Sequence, residues 1–293
     1  MKFGCHLPVY GPAATREVLL GFARRMEGLG YESLWASDHV VIPYSITSRY
    51  PYSPTGDFPL APATNFLEPL VALGLVAGVT ERVRLGTTVL VLPHRHPVLA
   101  AKMLATLDHL APGRVILGAG VGWMKEEIEL FGVPHARRGA WSDEAIRVMK
   151  ACWRDERVSY RGEFVRFEAL GVAPKPAQGT IPIWIGGHTP RALQRVAELG
   201  DGWHAAFPSA AKMKASLADL ATACRKVGRD LGSLTISARL GLPARQDADA
   251  LLREIHDLAE LGVSHVILES RVRDLDDMVA IYEKFAREIR PRA

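Results

Sequence analysis

Cysteine is scarce in this chain and asparagine almost absent: three of the first and a single Asn65 among 293 residues. Cys5, Cys152 and Cys224 show no Cys-x-x-Cys or zinc-type spacing. That excludes a disulfide framework and a zinc ribbon, and an odd count without a signal peptide predicts reduced thiols in the cytoplasm. No run of basic residues stands out, and 36 basic against 32 acidic side chains leave a net charge of only +4. Nucleic acid is therefore not an expected partner. The longest apolar stretch, residues 69–79, is too short to span a bilayer, so no membrane partner is expected either. Arginine outnumbers lysine 27 to 9, a bias that reflects genome composition rather than chemistry.

What is present is a large core and a regular alternation. The chain is 48% hydrophobic and 23% charged, and no Ser/Gly-rich linker divides it, so residues 1–293 read as one domain. Short apolar runs at 3–7, 33–37, 83–92, 115–119, 183–185, 203–207, 234–240 and 266–269 read as strands. Amphipathic segments at 16–29, 68–79, 97–110, 126–131, 142–154, 190–199, 210–227, 248–261 and 275–289 read as helices. Eight strand–helix units imply parallel pairing, because parallel strands need crossover connections. At this length a single closed (β/α)8 TIM barrel is expected. Two insertions decorate it: a long Pro/Tyr/Ser-rich loop over 40–64 after strand two, and a small β-hairpin over 158–167 before strand five. A loop of that length is a lid, a binding loop or disorder, and Tyr44, Tyr50, Tyr52 and Phe58 argue for contact with something rather than a free linker.

The stretch 181–204 carries the clearest chemical signal. Its strand Ile183-Trp184-Ile185 meets Gly186-Gly187, then Thr189 at an N-cap and Pro190 at the first helical position. Glycines let a ligand approach the backbone, and a helix N-terminus favours an anion. Gly186, Gly187, His188 and Thr189 read as a phosphate cradle, or as a tight βα turn whose glycines relieve sterics. In a TIM barrel the site lies at the C-terminal strand ends. There the sequence places His6, Asp38, His39, Thr88, Val89, His94, Arg95, His96, Gly120, Val121, Trp123, His204, Arg239 and Glu269. Carboxylates are few, which disfavours glycosidase chemistry, and the histidines match no metal spacing, so no metal is expected. His94 and His96 are read as shaping a loop rather than holding a metal.

Several motifs in fixed order extend this reading. They are Trp35-Ala36-Ser37-Asp38-His39-Val40, Val83-Arg84-Leu85-Gly86-Thr87-Thr88-Val89 with Pro93 and Pro97, and Gly113-Arg114-Val115 through Gly120-Val121-Gly122-Trp123. Tyr160-Arg161-Gly162-Glu163-Phe164, Pro174-Lys175-Pro176, Trp184-Ile185-Gly186-Gly187 and Gly200-Asp201-Gly202-Trp203 follow. Over nearly its whole length the chain resembles the luciferase-like monooxygenase superfamily, and within it the coenzyme F420-dependent oxidoreductases. The resemblance implies hydride transfer between F420 and a small organic substrate. An FMN-dependent monooxygenase, or a non-redox barrel that binds a phosphate ligand, are the competing readings. It implies His39 beside the cofactor ring as a catalytic group, with Asp38 either catalytic or orienting the lid. It also implies a non-prolyl cis peptide at Thr88–Val89 in a bulge that supports the ring, and the cofactor phosphate on Gly186–Thr189. Gly120 and Val121 join the cofactor set, while His6, Trp123 and His204 become substrate-pocket walls. In the sugar-phosphate dehydrogenase branch the strand-four loop carries a glutamate proposed as an acid; here that position is Trp123, and Glu126 and Glu127 lie further along. Dimers are common in the family, so a homodimer is the expected assembly.

Overall fold

Alternating buried strands and amphipathic helices run through the whole chain. The computed structural model describes residues 1–293 apart from Gln246 and Arg273. In its first half β1 (Lys2–His6), α1 (Arg16–Gly28), β2 (Ser33–Ala36), α2 (Pro69–Ala77), β3 (Arg84–Thr87), β4 (Leu90–Val91) and α3 (Pro97–Leu110) are followed by β5 (Val115–Gly120), α4 (Lys125–Leu130) and α5 (Arg138–Arg154). A hairpin of β6 (Val158–Arg161) and β7 (Arg166–Leu170) precedes β8 (Ile183–Gly186), α6 (Pro190–Leu199), β9 (Gly202–Ala206) and α7 (Ala210–Lys226). The chain ends with β10 (Thr235–Gly241), α8 (Ala248–Glu260), β11 (His265–Glu269) and α9 (Leu275–Lys284).

The sheet runs β3-β2-β1-β11-β10-β9-β8-β5-β4, all parallel, and β3 also pairs with β5 through Leu85–Val115 and Gly86–Ile116. That last pairing closes the sheet. Because β3 and β4 are two parts of one barrel position, the result is the expected (β/α)8 barrel. Buried apolar side chains occupy two shells. Trp35, Ile116, Trp184 and Ile267 fill the barrel, and a larger cluster packs between strands and helices. Trp35 dictates its neighbours: a Cβ on Gly86 would lie 2.4 Å from its ring, so β3 needs glycine there.

Four boundaries stand out against the sequence reading. The third strand is not continuous over 83–92; it stops at Thr87 and resumes at Leu90, and the intervening Thr88–Val89 peptide is cis. Helix α5 begins at Arg138 rather than Ser142. Ser142 is buried four residues inside it, its hydroxyl donating to the Arg138 carbonyl, so a residue type that suits a cap is here bonded back along the helix. The hairpin extends to Leu170, and the final helix gives way to a π-helical turn over Phe285–Ile289 that keeps both of those residues buried. No helix among the described residues is long and apolar enough to cross a membrane.

Candidate active site

At the C-terminal end of β2 the chain points successive side chains apart, as an extended backbone must. Asp38 turns inward. Its two oxygens accept from both terminal nitrogens of Arg95 at 2.7 and 3.0 Å, and Oδ2 also accepts from the Val91 amide at 2.9 Å. Arg95 then reaches Glu68 Oε1, at 2.6 Å, at the start of α2. Asp38 is thus buried and committed to holding the loop after β4, which makes it an orienting group.

His39 turns toward α4. Its Nδ1 lies 2.7 Å from Glu127 Oε2, with the two side chains 12% and 1% exposed. The other oxygen of Glu127 accepts from the Val40 and Val41 amides at 2.6 and 3.1 Å. Burial raises the Glu127 carboxyl, yet its bond and charge interaction with His39, the nearby His94 and the Val41 amide leave it below the usual carboxylate range. An ionised carboxylate only accepts, so Nδ1 of His39 carries the proton, and Nε2, bonded to none of the described residues, can face a ligand. His39 lines a cavity of about 320 Å³ with Val41, Ile42, Pro62 and Phe66.

The loop over 40–64 contains no helix or strand and lies across the barrel mouth as a band of rings. Phe58 packs on His39 at 4.9 Å and on Trp123 at 5.3 Å, Tyr50 on Trp123 at 5.1 Å, and Tyr52 on Phe207 at 6.1 Å. Glu126 ties the loop down: Oε1 accepts from the Thr47 amide and hydroxyl and the Ser48 amide, and Oε2 from the Ser48 hydroxyl. Desolvation would raise this carboxyl, but those donors bring it down to about 2. Neighbouring carboxylates on α4 therefore grip two separate points of the lid. Sequence reading passed over both, because only the folded chain brings α4 beside a loop about 80 residues away.

On the far side of the mouth Arg239 of β10 reaches Glu269 of β11 at 2.9 Å and donates to the Thr88 carbonyl at 3.0 Å. Tyr10 donates to the other Glu269 oxygen at 2.6 Å. Burial would raise Glu269, but Arg239 above all holds it at about 2. Phe207, in the left-handed region at φ +47°, sets its ring 5.2 Å from the Arg239 guanidinium. His6 lies buried nearby, its Nε2 2.7 Å from the Ser37 hydroxyl; burial, then Arg239, push it down to about 3.

His204 departs from the pocket-wall expectation. It sits within the barrel below the mouth, 1% exposed, stacked on Trp35 at 5.5 Å. Its Nε2 is 2.8 Å from the Thr88 hydroxyl and its Nδ1 2.8 Å from the Ser237 hydroxyl. With both nitrogens occupied it supports Thr88 from beneath, and burial pushes it down to about 3. Gly120 has a neighbour that explains it without a ligand: a Cβ there would come within 2.3 Å of the Val89 side chain. Gly186 leaves room for the same side chain, at 3.1 Å. Val121 is half-buried at the rim. Trp123 packs against Tyr50, Phe58 and His39.

The turn over residues 186–189 opens to solvent at the start of α6. His188 and Thr189 are exposed, and Gly187 has φ +99°. Thr189 caps α6 by accepting from the Ala192 amide, with Pro190 in the first turn, and Trp203 Nε1 fixes the Gly187 carbonyl at 2.7 Å. His94 departs from the loop-shaping expectation in its burial, and His96 caps α3 by accepting from the Val98 amide. Among the described residues no group of three or more His, Cys, Asp or Glu could hold a metal ion.

The sequence profile of the luciferase-like monooxygenase family matches residues 1–289. Rv0953c of Mycobacterium tuberculosis (strain H37Rv) is 32% identical over 268 residues, covering 91% of this chain and 92% of that protein. An F420-dependent glucose-6-phosphate dehydrogenase from Kineococcus radiotolerans is 35% identical over 189 residues, covering 63% of this chain and 51% of that protein. Among solved structures, an F420-dependent secondary alcohol dehydrogenase in complex with an F420–acetone adduct superposes with a TM-score of 0.81 at 18% identity, over 99% of this chain and 98% of that one. With its closed barrel, its broken third strand and a profile match over nearly every residue, the chain belongs to the luciferase-like monooxygenase family.

Proposed function

We propose that the protein is an oxidoreductase that transfers a hydride between coenzyme F420 and a small organic substrate. The observation that carries this reading is His39, held by the buried Glu127 at the edge of the barrel mouth with its second nitrogen free. Names among its relatives and fold neighbours favour F420 as the carrier. A bound deazaflavin supplies or accepts the hydride; the protein supplies binding, orientation and exclusion of water.

The residues present fit such a group. The exposed start of α6, with Gly187, His188 and Thr189, offers amides to a phosphate. Val89, seated against Gly120 and Gly186, and Thr88, propped by His204, form the floor on which a flat ring would rest. Trp123, Tyr50 and Phe58 close the site from the lid side. His39 Nε2 holds or moves the substrate's proton, while Asp38 keeps the loop after β4 in place through Arg95.

Parallel titration of the purified protein with F420 and FMN tests the reading. F420 binding with single-turnover reaction supports it, FMN binding alone replaces it with a flavin monooxygenase, and binding of neither favours a non-redox phosphate-ligand barrel. His39→Ala is expected to slow single-turnover oxidation of reduced F420 by about 10²–10⁴-fold, the range of a lost acid–base group. For the cradle, a Gly187 substitution is confounded by backbone strain at φ +99°. His188→Glu avoids this, because it places a negative charge on an exposed residue beside the phosphate. Unchanged F420 affinity in that variant would remove the cradle from the site.

A further inference from the structure

His94 is the anomaly of the site. Its side chain is 1% exposed and hangs between two buried carboxylates, Nδ1 at 3.8 Å from Asp38 Oδ2 and Nε2 at 3.6 Å from Glu127 Oε2. Both gaps exceed hydrogen-bond length. Among the described residues its two nitrogens are the only buried side-chain nitrogen or oxygen atoms without a hydrogen-bond partner. A neutral imidazole must carry one N–H, and a buried donor left unpaired is costly. Native proteins retain such a group rarely, and it calls for a reason.

The reason lies in the oxygen that Nε2 faces. Glu127 Oε2 is the atom that His39 holds at 2.7 Å. Two imidazoles therefore face one oxygen, one bonded at 2.7 Å and one at 3.6 Å, just beyond hydrogen-bond reach. Glu127 Oε1 is pinned by the Val40 and Val41 amides, so the carboxylate cannot swing away to find another donor. The other groups around His94 do not compete for it: Asp38 is taken by Arg95 and the Val91 amide, Arg95 also reaches Glu68, and the Phe131 ring packs against it at 5.3 Å. If His39 left without a replacement, a carboxylate oxygen 1% exposed would lose its donor.

We propose that His94 is the reserve donor for Glu127: when His39 turns from Glu127 toward the barrel mouth, Glu127 Oε2 closes the gap to His94 Nε2. His94 is a positioning residue. It acts through Glu127, freeing His39 to move without stranding a buried charge and without releasing the lid amides at Val40 and Val41. The hydrogen bond missing in the present arrangement is made in the other one. The proposal rests on the reading of His39 as the acid–base group of the proposed active site, but it is tested on the cofactor-free protein, so failure of F420 to bind would leave it standing.

The test uses the full chain uniformly labelled with ¹⁵N. In His39→Ala, the His94 Hε2 proton is expected to appear as a downfield, slowly exchanging resonance absent from the unsubstituted protein. Amide exchange at Val40 and Val41 should rise by less than about threefold in His39→Ala and in His94→Leu separately. In the double variant, where a buried carboxylate has lost both donors, it should rise about tenfold or more. Pairing His39→Ala with His94→Gln instead of His94→Leu keeps a donor at that position and should restore protection. If His39→Ala fails to fold, His39→Phe fills the same ring cluster and serves in its place. An unchanged His94 signal, additive exchange rates or no rescue by His94→Gln would each overturn the proposal, because a residue that only fills space gives those results.

Discussion

Two polar clusters sit at the same end of this barrel, and their hydrogen bonding differs. On the floor, built by β1, β10 and β11, Arg239, Glu269 and Tyr10 are joined to one another and to the Thr88 carbonyl, with His204 bonded at both nitrogens beneath. On the lid side, Asp38, His94, Glu127 and His39 form a row in which one imidazole has no hydrogen-bond partner among the described residues. A network with every group satisfied fixes one arrangement; a network with a free donor and a shared acceptor has a second arrangement available. The floor bonds mainly side chain to side chain, whereas Glu126 and Glu127 bond largely to loop amides. The contrast predicts a rigid shelf facing a movable wall, with acid groups doing different work on each side.

The largest expected effect falls on the floor. Arg239→Met leaves Glu269, 4% exposed, without its counter-charge and removes a donor from Thr88. Breaking one half of a buried pair costs about 3–5 kcal/mol, and chemical denaturation should show a loss of that size. A loss below about 1 kcal/mol would mean that the floor is as adaptable as the lid, and the contrast would fall.

Acidification should separate the two sides next. His6, His204 and His265 each have a folded-state value lowered from 6.5 to about 3 by burial. In that interval the unfolded chain binds protons that the folded chain refuses, so their contribution to stability is complete above pH 6.5 and lost as pH falls toward 3. Glu126 on the lid side is lowered from 4.5 to about 2, so its contribution is complete above pH 4.5 and is drawn down as pH falls toward 2. Melting temperature should therefore begin to drop below about pH 6.5, while amide protection at Thr47 and Ser48 holds until pH passes below about 4.5. Lid protection lost in step with melting from pH 6.5 would show that lid and floor open together.

The barrel was legible in the sequence because burial on both faces of a parallel strand leaves a plain apolar run. The N-cap at Thr189, the long loop after β2 and the divergence of Asp38 and His39 were legible for the same local reasons. What escaped were contacts between distant segments. Nothing near Glu127 signals that it will meet His39, 88 residues away. His94 beside Arg95 gave no sign that the arginine would take Asp38 while the imidazole went unpaired. His204 was misplaced for a related reason: a residue near the C-terminal end of a strand points either to the mouth or into the barrel, and spacing alone does not choose. The packing of Trp35, Trp184 and Thr88 chooses it here.

The smallest expected effect probes the wall itself. Ser48 donates its hydroxyl to Glu126 Oε2 at 2.8 Å and accepts from the Lys125 amide at 2.9 Å, so it joins the lid to the first turn of α4 from both directions. Ser48→Ala removes both bonds and leaves Glu126 its three bonds to the Thr47 amide, the Thr47 hydroxyl and the Ser48 amide. These groups are near solvent, so water replaces much of what is lost, and the net cost should be about 1 kcal/mol. Hydrogen exchange at Thr47 and Ser48 should accelerate by about fivefold, the factor that corresponds to that cost. The melting temperature should stay within about 2 °C of the unsubstituted protein, and the amides of β10 and β11 should exchange as before, because opening of a lid-side segment is a local event. A Ser48→Ala protein that loses global stability on the scale of Arg239→Met would show that the lid is part of the cooperative core, and the wall would then be as fixed as the floor.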